Sequence, residues 1–119
     1  MMRLLSLLLV AWPSWAACSH VGAVWTCADE GSPTTNGTSF QAAINAAVTG
    51  ETIKLTAGVE FRGNFTLPNF TGSTPILIQS LSLASLPSGR VSPSDIANMP
   101  KLTTANGSAV ITLLADSHD

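Results

Sequence analysis

The sequence predicts a β-rich, stacked-coil fold on an exported chain, and three observations predict it. Met1 to about Ala16 has the organisation of a secretory leader. Short strand-like segments recur: their centres near Ile53 and Leu77 lie about 24 residues apart, and the next, near Ile111, about 34 further on, which fits a similar interval plus an insertion. Polar corners separate these segments. A coil of this size cannot bury its apolar side alone, so coils stack and share one core. An ordinary small α+β domain with irregular loops meets the same spacing, and spacing by itself leaves both open.

The leader begins with Arg3 as its positive residue, continues through the apolar run Leu4–Ala11, and is broken by Pro13. Ser14 and Ala16 then stand at the small-residue positions of a cleavage site. The apolar run is far shorter than the about 20 residues that span a bilayer, and no later segment approaches that length. The expected location is therefore secreted or periplasmic, with the leader cleaved and no stable membrane span. Ala16-Ala17-Cys18 also resembles the end of a lipobox, with Trp15 where leucine is usual, so lipidation of Cys18 is the competing reading.

Cys18 and Cys27, an even pair closely spaced in an exported chain, are expected to form a disulfide. Metal binding would need more ligands than these two and His20, and a redox pair is more often Cys-x-x-Cys. Asp29 to Gly37 is turn chemistry, read as a linker or surface loop. A helix is predicted next, with Thr38 as N-cap, Gln41 completing a capping box, and Phe40, Ala43, Ile44, Ala47 and Val48 on one face before Gly50. Ile53 and Leu55 then alternate with Thr52 and Lys54 as a strand. Val59 to Leu67 holds two short β-prone pieces around Gly63-Asn64, and Ile76 to Gln79 is a strand by its β-branched content. Leu83 to Asn106 reads as an irregular excursion, and Val110 to Leu113 as the last strand.

The words of this stretch carry a resemblance. Phe40-Gln41-Ala42-Ala43-Ile44 before Gly50-Glu51-Thr52-Ile53 resembles the opening of pectate-lyase-like proteins. Ala57-Gly58, Gly63-Asn64-Phe65 and Ile76 to Ser80 are similar to later steps of the same family's bacterial members. The resemblance spans about residues 38 to 80. It implies an all-β right-handed parallel β-helix, the pectin lyase fold, with a short amphipathic capping helix. It divides the chain into a signal peptide (1–16), a disulfide-closed N-terminal segment and linker (17–37), and a capping helix with the first rungs (38–119). Members of that family stack many more coils, so the expectation is a fragment, or a short chain that assembles with partners.

Two functions follow as expectations. The first is an exported carbohydrate-active protein, a polysaccharide lyase or glycoside hydrolase, whose catalytic rungs this chain does not contain. The second is a non-catalytic surface or adhesive module that binds glycans or partners. Whether the protein is an enzyme stays open, and no catalytic residue is assigned. No cofactor or metal site is expected in this chain; calcium in a longer protein is implied by the resemblance alone. Charged residues are 10% of the chain and the net charge is −2. Lys54, Arg62, Arg90 and Lys101 are scattered, so there is no basic face to displace phosphate counterions, and nucleic acid is not an expected partner.

Asp29-Glu30 reads as a solvated loop pair, and Glu60 with Arg62 as a surface ion pair on one strand face. Asp116-Ser117-His118-Asp119 is the cluster that most resembles chemistry, an imidazole flanked by carboxylates at a chain end. Asn36, Asn64, Asn69 and Asn106 begin glycosylation-acceptor triplets.

Overall fold

The computed structural model of the protein describes residues 18–69 and 73–113. The expected signal peptide, residues 1–16, and the Asp116–Asp119 cluster lie outside the described residues. Strands β1 (Ser19–Val21) and β2 (Val24–Cys27) form a hairpin and precede helix α1 (Pro33–Ala46). Six further short strands follow: β3 (Thr52–Leu55), β4 (Glu60–Arg62), β5 (Phe65–Leu67), β6 (Leu77–Ser80), β7 (Lys101–Thr103) and β8 (Ile111–Leu113).

The strands form three small sheets. A four-stranded sheet runs β1-β2-β3-β6, antiparallel at β1–β2 and parallel elsewhere. Two parallel pairs, β4–β7 and β5–β8, make up the other sheets. Helix α1 packs chiefly against β4, and also against β5 and β2.

This α+β arrangement corrects the expected all-β right-handed parallel β-helix and the pectate-lyase-like assignment on which it rested. A 14-residue helix contributes Phe40, Ala43 and Ile44 to the core beside the strands. The spacing argument fails at its second interval. Ile53 does pair with Ile78, but Ile111 pairs with Phe65 in a different sheet. The intervening stretch holds β7, which pairs with β4. The two intervals therefore do not count one repeat. The shared words describe local needs, an amphipathic helix and strands with glycine corners at Gly50 and Gly58, both at positive φ. An α+β unit has the same needs.

The helix starts earlier than its sequence suggests. Ser32 is the N-cap, its side chain accepting from the Thr35 amide at 3.1 Å, and Pro33 opens the helix. Thr38 and Gln41 are thus interior residues, not a capping box. Gln41 instead clamps β5: its Nε2 donates to the Thr66 carbonyl at 3.0 Å and its Oε1 accepts from the Thr66 amide at 2.9 Å. The early start carries Gly37 into the helix, where it lies directly on the backbone of Arg62 in β4.

Phe40, Phe61 and Phe65 form the centre of the core, with the Phe40 ring 5.9 Å from Phe61 edge-on and 4.8 Å from Phe65. Ile44, Ile53, Leu55, Ala43, Ala47 and Cys27 surround them. Two apolar residues of the predicted helix and strand lie outside this core. Val48, past the end of α1, is 60% exposed, and Ile78, on the edge strand β6, is 37% exposed although its partner Ile53 is fully buried.

Candidate functional site

The residues with the most chemical capacity meet where the β1–β2 hairpin joins β3. Val21 and Val24 pair across a two-residue turn, Gly22-Ala23, in which Gly22 takes φ +62°. That register places His20 opposite Trp25. Their rings stack, with centroids 4.0 Å apart and planes inclined by 6°. The parallel pairing of β2 with β3 brings Trp25 beside Ile53, so the indole leans on the core while His20 lies further out.

Glu51 ties the stack to the body of the protein. It is buried and takes three donors. Trp25 Nε1–H donates to Oε1 at 3.0 Å, the Val48 amide to the same oxygen at 2.9 Å, and His20 Nε2 lies 2.8 Å from Oε2. The Trp25 bond, followed by the Val48 amide and His20, holds the Glu51 carboxyl far below the usual carboxylate range, at about 2. With Glu51 ionised, the contact to His20 requires a proton on Nε2. In the neutral ring Nδ1 then carries a free lone pair. The His20 side chain is 39% exposed. The result is a stacked imidazole–indole platform tied down by Glu51, with the His20 ring as its outer layer and the exposed Val48 nearby.

The same bonds carry a pH prediction. A carboxyl whose folded value is depressed binds its proton less readily folded than unfolded, so stability rises with pH between the two values. The contribution of Glu51 is present above its ordinary 4.5 and is lost as pH falls toward about 2. Urea midpoints measured across that window should fall with acid in the parent protein and fall less steeply in Glu51→Gln. Parallel slopes would contradict the assignment. Asp29 and Glu60 add acid dependence of the same sign in both proteins. Asp29 is lowered by the Gly31 amide and by Asn36, and Glu60 by Thr103 and Arg62.

Other candidates are distributed elsewhere. Cys18 and Cys27 are joined by a disulfide that closes the hairpin carrying His20 and Trp25. Asp29 is part of the α1 capping network: it accepts from the Gly31 amide and from Asn36 Nδ2, while Asn36 also donates to the Glu60 carbonyl. Glu60 accepts from Arg62 at 2.9 Å and from Thr103 at 2.8 Å, a surface network away from the platform. Register puts Lys54 between Thr26 and Gln79 on the opposite face of the sheet from Trp25 and Ile53. Among the described residues no cluster of three or more metal-ligating side chains occurs, and no helix is long and apolar enough to cross a membrane.

The platform itself was not anticipated from sequence. The local signal was present, since Gly22 flanked by Val21 and Val24 marks a hairpin whose pairing opposes His20 to Trp25. The part played by Glu51 depends on the long-range β2–β3 pairing, which has no local mark. No protein family, no curated protein and no solved structure matches the chain.

Proposed function

We propose that this chain is an exported, non-catalytic glycan-binding module and that the His20–Trp25 stack is its binding surface. The single observation that carries the reading is the rigid, partly exposed aromatic platform fixed by Glu51. A sugar ring presents an apolar C–H face and a rim of hydroxyls. A flat outer ring with a polar ring nitrogen at its edge complements both features. The disulfide agrees with an oxidising compartment, where such bonds persist. Catalysis at this spot fits poorly: Glu51, saturated by three donors and held at about 2, is neither an acid nor an effective base near neutrality.

The test is calorimetric titration with neutral and uronic-acid oligosaccharides. The parent protein should bind at least one class, and His20→Ala, which removes the outer ring, should weaken that binding about tenfold, equivalent to about 1.4 kcal/mol. Equal affinity in both proteins would remove the platform as the binding surface.

A further inference from the structure

We infer that Asn106 is a site of spontaneous backbone-mediated deamidation, and that the fold withholds this chemistry from Asn36. These are the two asparagines followed by glycine, Asn106-Gly107 and Asn36-Gly37. The reaction needs the following amide nitrogen to reach the side-chain carbon. Glycine favours it because no Cβ obstructs the approach and the backbone turns freely.

The structure separates the two positions sharply. Asn106 is exposed in the β7–β8 loop, where Gly107 takes φ +82° with open space around its α-carbon. Asn106 Oδ1 accepts from the Ser108 amide at 3.1 Å, folding the carboxamide over the backbone that follows it. The loop is held at its base by Asn64, whose Nδ2 donates to Thr104 Oγ1 and to the Ala109 carbonyl, both at 2.9 Å. At the apex Thr104 Oγ1 donates to Asn106 Oδ1 at 3.4 Å and accepts from the Asn106 amide at 3.3 Å, exposed contacts that give way in the small rotation that attack requires.

Asn36 is 2% exposed and lies within α1. Its Nδ2 donates to Asp29 Oδ1 at 3.1 Å and to the Glu60 carbonyl at 3.0 Å, and its Oδ1 accepts from the Glu30 amide at 2.6 Å. The helix keeps the Gly37 nitrogen in its ladder and away from the carboxamide.

The chemistry balances with water as co-reactant. Gly107 N loses its proton and bonds to Asn106 Cγ, and ammonia leaves to give a succinimide. Water then opens the ring at either carbonyl. One opening restores a normal backbone with aspartate; the other routes the backbone through the side chain as isoaspartate. Either product adds a negative charge to the β7–β8 loop.

Peptide mapping by mass spectrometry tests this on the intact chain held in warm, mildly alkaline buffer made with oxygen-18 water. Isoaspartate and aspartate, each carrying the heavy oxygen, should accumulate at Asn106. Asn36 must wait for the helix to open and should react at least about a hundredfold more slowly. Added denaturant should bring the two rates together. Asn106→Gln should abolish the signal at that position and leave Asn36 unchanged. Equal rates at the two asparagines in the folded protein would overturn the inference. So would an Asn106 that stays intact in the fold while the excised peptide deamidates.

Discussion

Gly37→Ala should unfold the protein at markedly lower denaturant, against the usual direction for such a change. In an exposed helix interior, alanine for glycine adds about 1 kcal/mol of stability. Here a Cβ at residue 37 would overlap the Arg62 carbonyl oxygen and lie 2.7 Å from its carbon. Both are backbone atoms of β4, so relief requires α1 and β4 to separate. That separation would open the packing of Phe40 on Phe61. The expected loss is at least about 3 kcal/mol, the upper range for overpacking. That is a large fraction of the about 5–15 kcal/mol by which a domain of this size is stable. Urea denaturation followed by circular dichroism reads the effect. A midpoint equal to or above that of the parent would show that α1 does not press on β4 as described.

The second large effect is expected at Phe40. Its side chain is almost fully buried and touches both Phe61 and Phe65, joining the helix to two of the three sheets. Phe40→Ala should cost about 3–5 kcal/mol, combining lost transfer free energy with the cavity left behind. Phe40→Leu, which fills much of that space, should cost appreciably less. The same denaturation series checks both variants. Equal losses for leucine and alanine would mean that ring packing, and not volume, governs the site.

These residues also show how far the sequence could be read. Phe40, Ala43 and Ile44 were legible as a buried helix face because their spacing is intrinsic to any helix. Ile53 and Leu55 were legible as the inward side of β3 by their alternation. The first turn of α1 was hidden because Ser32 to Gly37 is written in turn-forming residues. Only the contact with β4 explains a glycine there. Strand β7 was hidden for a related reason: Lys101-Leu102-Thr103 is too short for a pattern and exists through its pairing with β4. The all-β solenoid expectation fell on the same kind of information. Which strand Ile111 joins is decided by long-range pairing, and an interval counted along the chain does not contain it.

For the candidate site, the hairpin was within reach and the carboxylate was not. Cys18, His20, Trp25 and Cys27 share one short hairpin whose turn residues are visible in sequence. Glu51 lies far along the chain and reaches Trp25 only because β2 and β3 run side by side. Its low proton affinity follows from that arrival, since Trp25 and the Val48 amide supply the donors.

Trp25 offers the most direct test of the claim that the stacked rings bind glycans. The other two tryptophans, Trp12 and Trp15, lie in the segment proposed to be removed on export, so residues 17–119 carry Trp25 as their single indole. Its fluorescence should be titrated with oligosaccharides in the parent protein and in His20→Ala. The account predicts a saturable change in Trp25 emission for the parent, with a midpoint matching calorimetry, and a midpoint about tenfold higher for the variant. Saturable binding by calorimetry with no change in Trp25 emission would place the glycan elsewhere and contradict the claim.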